Sequence, residues 1–417
     1  MKFIYCLLFT LLISYSVCGQ TKSGTFIESI LAQNANILNK DVLQNPAKYK
    51  LQIVYTRIDR DRNNHPKFTT YTYRTDLNEY FYPASTVKIY AAALALEKIN
   101  RLGIKDLDFK DIMLTDSSYA GQTAVKYDST AENLKPSIAH YIKKVLVTSD
   151  NDGHNRLYEF MGQKDFNELL KSRRYDNTRR THRLSVPLST EQNKHTNAIR
   201  FYDSQTQALL YEQGPAYNTR DYTFKGSIQL GKRYAKGEEI INKPMEFNEK
   251  NFSSLEDLHH IILSLMFAEK YTKVKPMDLS DTDYKFMQQY MSQLPGETLY
   301  PDYQELPDNY CKFFLYGDKG KERIPEHIRI FNKIGNAYGF TIDNAYIVDF
   351  EKKVEFALSA VIYTNENEIL NDGVYEYEKT AMPFLGNLGS IFYQYELNRK
   401  KKHLPDLSAF EFIYDKK

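Results

Sequence analysis

The period of apolar and polar positions changes twice along the chain. Leu51 to Ile58 and Lys67 to Arg74 are rich in β-branched and aromatic residues, and the turn formers Asp59 to Pro66 lie between them, so they predict a hairpin. A helix is expected before it, around Thr25 to Leu38. Pro83 then opens a helical zone whose stretch Val87 to Leu96 is apolar on nearly every side, the mark of a buried helix. Ile138 to Val147 and Asn155 to Leu170 carry apolar residues at three- and four-residue spacing, which suits helices packed on one another. Near the far end the period returns to that of strands. Thr341 to Phe350 and Val354 to Tyr363 predict two adjoining strands joined by Glu351-Lys352-Lys353, with a helix following from Pro383 to Leu397. Strands at both ends bracket a helical middle. That order predicts an α+β fold: one antiparallel sheet built from both chain ends, helices packed on it, and a helical lobe inserted between its halves. The polar, Tyr-rich stretch at about 211–311, with one apolar helix candidate at Leu255 to Ala268, reads as an inserted elaboration of that lobe.

The first residues set the expected compartment. Met1-Lys2 gives a positive start, Phe3 to Val17 is almost wholly apolar, and Val17-Cys18-Gly19 offers small residues ahead of Gln20, the pattern of a signal peptide over 1–19. The apolar run is shorter than the roughly 20 residues that a spanning helix needs. The expected location is therefore the periplasm or the medium, with no transmembrane segment after signal removal; a lipid anchor on Cys18 is the alternative. Of the three cysteines only Cys311 lies beyond the signal, so no internal disulfide is expected and the core must stabilise the fold. A hydrophobic content of 42% can build that core. A net charge of +2 argues against nucleic acid as a partner, and the basic run Arg399 to His403 reads as a solvated helix end. The 34 tyrosines read first as core and rim packing, with a carbohydrate or peptide surface as the alternative. Oligomeric state is not legible.

Candidate chemistry begins with absences. There is no Gly-x-Ser-x-Gly elbow, zinc helix, Walker loop or dinucleotide fingerprint, and no metal or cofactor is implied. Ser85-Thr86-Val87-Lys88 stands out. Ser85 is the one serine in the chain with a lysine three residues on, and both lie at the start of the apolar helix, on one face. A serine hydroxyl needs a base to become a nucleophile, and burial or a nearby cation can lower a lysine's pKa enough to serve. The helix start also aims free backbone N–H groups at charge developing on an attacked carbonyl. Taken alone, the pair could be an ordinary helix start.

Ser149-Asp150-Asn151 lies between two helices. A loop serine can relay a proton to a departing nitrogen, and the Asn151 carboxamide can hold a substrate amide; as a bland alternative, all three residues are good helix caps. Lys333-Ile334-Gly335, followed by Asn336, immediately precedes the Thr341 strand. There Lys333 would hold a carboxylate and help keep Lys88 neutral, Gly335 would let substrate lie close, and the Asn336 N–H would be a second oxyanion donor. Lys22-Ser23-Gly24 fits the usual form of that tripeptide better but sits beside the signal.

In that order, Ser85-x-x-Lys88, Ser149-Asp150-Asn151 and Lys333-x-Gly335 resemble the three motifs of class A β-lactamases and the related penicillin-binding proteins. The resemblance extends to Tyr338-Gly339 leading into two strands and a closing helix, and so covers most of residues 20–417. It implies Ser85 as acylated nucleophile, Lys88 as acylation base, Ser149 as proton relay, Asn151 as amide holder and Lys333 as carboxylate anchor, acting on a β-lactam or a peptidoglycan-like amide. Ile334 stands where the family has Thr or Ser, removing a hydroxyl that helps hold the carboxylate. The stretch Arg179 to Leu188 has no acidic residue to activate a deacylating water, and Glu191 is the nearest candidate. Slow deacylation is expected. A D,D-peptidase or esterase with the same site, and a non-catalytic envelope protein that keeps the fold, are the alternatives.

Overall fold

In the computed structural model, residues 25–224, 226–320 and 322–415 are described. The expected signal peptide over 1–19, Cys18 and the Lys22-Ser23-Gly24 triplet lie outside them. The polypeptide starts with α1 (Thr25–Gln33) and the hairpin β1 (Gln52–Arg60) and β2 (Pro66–Tyr73). A helical series follows: α2 (Lys88–Leu102), α3 (Ile138–Val147), α4 (Asn151–Met161), α5 (Gln163–Ser172), α6 (Leu255–Phe267) and α7 (Asp281–Ser292). Three long strands, β3 (Ile328–Ala337), β4 (Phe340–Asp349) and β5 (Val354–Tyr363), and a closing helix, α8 (Met382–Asn398), complete it.

The sheet order is β3-β4-β5-β1-β2, antiparallel throughout, so the two ends of the sequence are spliced at the β5–β1 pair, where Gln52 faces Val361 and Arg57 faces Phe356. This is the expected α+β architecture. Alternation along the strands gives the sheet two apolar faces. Val54, Ile342, Tyr346, Ala357 and Val361 face a core shared with α2, α3 and α6. Ile53, Tyr55, Ile347, Phe356 and Leu358 face a second core closed by α1 and α8. Both faces of the middle strands are thus covered, and β4 and β5 are buried along almost their whole length.

One predicted helix is two. The stretch read as Asn155 to Leu170 breaks at Gly162, whose φ of 71° and ψ of 143° end α4 and start α5. Helical spacing of apolar residues persists across the break, so periodicity alone carries no sign of it. The stretch about 211–311 contributes short strand pairs and then α6, which lies on the sheet against β1, β4 and β5, and α7, which lies against β3. Its Phe252 and Ser253 pair with Arg179 and Thr178, and its Arg233 and Tyr234 with Ile369 and Leu370.

Candidate active site

Ser85 sits in a tight turn, Ala84–Val87, immediately ahead of α2. Ala84 adopts φ 47°, a left-handed conformation that non-glycine residues rarely take, and it swings the chain into the helix with Ser85 half-buried at the corner. Lys88 begins α2 and is wholly buried. Its amine donates to the Ser149 carbonyl oxygen, to Asn151 Oδ1 at 2.7 Å and to Ser149 Oγ at 3.3 Å. The expected contact with the Ser85 hydroxyl is not among these bonds. The reason lies at Ser149, whose φ of 62° turns its carbonyl inward, where it meets the amine.

The second lysine converges on the same hydroxyl. Lys333, 2% exposed in the middle of β3, donates to Ser149 Oγ at 2.7 Å and to the Ile334 carbonyl at 3.0 Å. Ser149 Oγ therefore lies between two amines. Burial, and then the charge on Lys333, hold the Lys88 pKa well below that of an ordinary lysine. Burial likewise draws Lys333 down to about 8, against the pull of Cys311 and Asp343. Gly335 faces the Ser85 turn so closely that a β-carbon there would come within 2.9 Å of the Ser85 nitrogen and 3.0 Å of the Thr86 nitrogen. Only glycine lets β3 run this near the turn. Asn336 continues the strand opposite Thr341, and its Oδ1 is buried without a hydrogen-bond partner among the described residues. Asp150 caps α4 by accepting from the Gly153 N–H at 2.6 Å, so the capping reading and the cleft coexist in one tripeptide.

The loop from Arg179 to Leu188 reaches the site through Ser185. Asparagine side chains fasten it almost residue by residue. Asn167 bonds both backbone groups of Arg180, Asn251 takes the Thr181 and His182 N–H groups, Asn193 takes that of Arg183, and Asn155 bonds both backbone groups of Leu184. A buried ion pair between Arg183 and Glu159 adds a fifth tie. Beyond this clamp, Ser185 is exposed at φ 55° and its Oγ accepts from Asn151 Nδ2 at 3.0 Å. No acidic side chain of this loop faces the lysines, because the loop has none. Glu191 is on the surface, paired with Lys194 and His195. In place of a carboxylate the loop buries Arg180, whose guanidinium meets His154 Nε2 at 3.0 Å, and burial pushes His154 well below its usual pKa. Among the described residues no three His, Cys, Asp or Glu side chains are grouped to hold a metal ion.

Ser185, Asn155 and Asn251 do not stand out as site residues in the sequence. Asn155, six residues after Ser149 on a helix, carried a weak signal, since an amide on an apolar face needs a polar partner. Asn251 gave none, because its partners are some seventy residues away in sequence.

An antiparallel sheet with helices on both faces, its edge strand β3 lying against the Ser85 turn, makes this an α+β fold. Residues 37–213 match the model of the β-lactamase enzyme family, a stretch that contains Ser85, Lys88, Ser149 and Asn151. Similar solved structures include a β-lactamase from Xanthomonas campestris pv. campestris, at 14% identity over 88% of this chain and 97% of that one with a TM-score of 0.48. Another is a β-lactamase from Burkholderia vietnamiensis, at 14% identity over 90% and 98% with a TM-score of 0.48. No curated protein matches the chain.

Proposed function

We propose that the protein is an exported serine hydrolase that forms an acyl-serine intermediate on Ser85 from a β-lactam or a peptidoglycan-like amide and releases it slowly. The observation that carries this reading is the convergence of Lys88 and Lys333 on Ser149 Oγ, with Gly335 against the Ser85 turn. Lys88, kept neutral by burial and by its cationic neighbour, takes the Ser85 proton as the hydroxyl attacks the carbonyl. The backbone N–H groups of Ser85 and Asn336 receive the oxyanion. Ser149, already touching both amines, returns a proton to the departing nitrogen, and Lys333 holds the substrate carboxylate without the hydroxyl that Ile334 lacks. Hydrolysis of the acyl group needs an activated water, and the loop Arg179 to Leu188, which meets Asn151 through Ser185, has no carboxylate, which favours a persistent adduct. Export is supported by the leader-like sequence of residues 1–19, and no helix among the described residues is long and apolar enough to cross a membrane.

A fluorescent penicillin is expected to label the wild type, with a label that outlasts minutes of chase, and to leave Ser85→Ala dark. Equal labelling of both proteins would remove Ser85 from its role. Release of D-alanine from a model peptide would identify a D,D-peptidase that uses the same residues.

A further inference from the structure

Arg180 lies wholly buried in the Arg179 to Leu188 loop. Its guanidinium donates from Nη2 to His154 Nε2 at 3.0 Å and lies over the Phe166 ring, 5.8 Å from the centroid, while Nε and Nη1 have no hydrogen-bond partner among the described residues. Burial draws its pKa down to about 10, still far enough above neutrality for the group to stay charged. No carboxylate answers that charge. The titratable groups that face it are the phenols of Tyr82, Tyr158 and Tyr90, and burial raises the pKa of each, so they keep their protons. Glu159, on the same helix as His154, is taken by Arg183. A buried cation without a counter-ion is destabilising. Here it is fixed instead by Asn167, which bonds both backbone groups of Arg180.

His154, which receives the guanidinium, and Asn151 are three residues apart on α4 and so share one face of it. Asn151 Oδ1 accepts from the Lys88 amine at 2.7 Å. Arg180 is thus joined through His154 to a point one helical turn from the contact that holds Lys88, a range over which charges in a protein interior interact without touching. We infer that Arg180 is a positioning residue of the candidate site: its buried, unanswered charge acts across that turn on Lys88 and favours the free amine, the form able to take the Ser85 proton. The charged and titratable groups around Lys88 are Lys333 from β3, Asp150 from the head of α4, Cys311 ahead of β3, and Arg180 from the loop. Burial and then Lys333 lower its pKa most, Asp150 and Cys311 oppose them, and Arg180 adds to the lowering. The task given to Lys88 rests on the acyl-serine reading, whereas the coupling of the two charges does not.

A carbon NMR titration of protein labelled at the lysine Cε reads the coupling directly, with the Lys88 resonance identified by its loss in Lys88→Met. Arg180→Met is expected to raise the Lys88 midpoint by about half to one pH unit, a change of about three- to tenfold in the free-amine fraction below the midpoint. Arg180→Lys keeps the charge and should bring the midpoint back toward the wild-type value. His154→Asp leaves the arginine in place and gives it a counter-ion, so it should move the midpoint upward even where Arg180→Met does not fold. Acylation by a fluorescent penicillin should fall by the same about three- to tenfold on the acid side of its pH profile in Arg180→Met and recover in Arg180→Lys. A midpoint unmoved by Arg180→Met or by His154→Asp, one that moves as far in Arg180→Lys as in Arg180→Met, or a loss of acylation that is uniform in pH overturns the inference. A midpoint that shifts as expected in a protein that takes no penicillin label would instead sink the acyl-serine reading and leave the coupling standing.

Discussion

Lys333 is the residue at which pH should act most visibly. Its folded-state pKa of about 8 lies below the ordinary 10.5, so between these values the unfolded chain holds a proton that the folded one has released. Stability therefore rises with pH across that window, and the cost of burying the charge is fully present below about pH 8. Lys333→Met is expected to be more stable than the wild type at pH 7 by on the order of 2 kcal/mol, with the advantage shrinking as pH rises from about 8 toward 10.5. Thermal denaturation of both proteins across that range checks it, and an advantage that does not depend on pH would contradict it. If Lys333 is the carboxylate anchor proposed above, the same substitution should abolish penicillin labelling. A site that destabilises its own protein is the expected cost of holding two amines around one hydroxyl.

At the scale of elements, the break at Gly162 is the clearest case of a backbone requirement. A β-carbon there would meet nothing nearer than Thr196 Oγ1 at 3.9 Å, so space is not the issue; the φ of 71° is. Gly162→Ala should cost about 1–2 kcal/mol by urea denaturation, from backbone strain alone, and a neutral result would mean that the α4–α5 corner relaxes. The elements themselves were largely legible in the residues. Ile138–Val147 and Val354–Tyr363 have the predicted limits, and the β1–β2 hairpin follows its turn formers. What periodicity could not convey was the left-handed residue that splits a helix without changing its apolar spacing. Nor could it convey the asparagine clamp on the loop, because each of those ties joins distant segments. The four lysine and serine positions of the cleft were readable as motifs. Their mutual arrangement, with Lys88 turned toward Ser149, depended on one backbone angle at Ser149 and was not.

At the scale of the molecule, a buried acid helps fasten the closing helix to the sheet. Glu396, wholly buried on α8, accepts from the Tyr55 hydroxyl of β1 and from Arg399 Nε at 2.6 Å, while Arg399 reaches Asp59 at 2.6 Å. Burial raises the Glu396 pKa, and Arg399 opposes the rise. Removing the acid leaves Arg399 only Asp59 and the Ile58 carbonyl, and deprives the Tyr55 hydroxyl of this acceptor. Glu396→Ala should thus cost about 3–5 kcal/mol, as loss of one member of a buried pair does, measured as a fall in denaturation midpoint. A change below about 1 kcal/mol would show that the pair is dispensable.

The splice between β5 and β1 has a temporal side. Gln52 is made early and its strand partner Val361 nearly last, so a nascent chain that has already produced Ser85, Lys88 and Ser149 still lacks β3, β4 and β5. No partial translation product can assemble the cleft, and loop closure of that length makes the final pairing a late event. The residues of the candidate site are therefore brought together only once β3, β4 and β5 have been made.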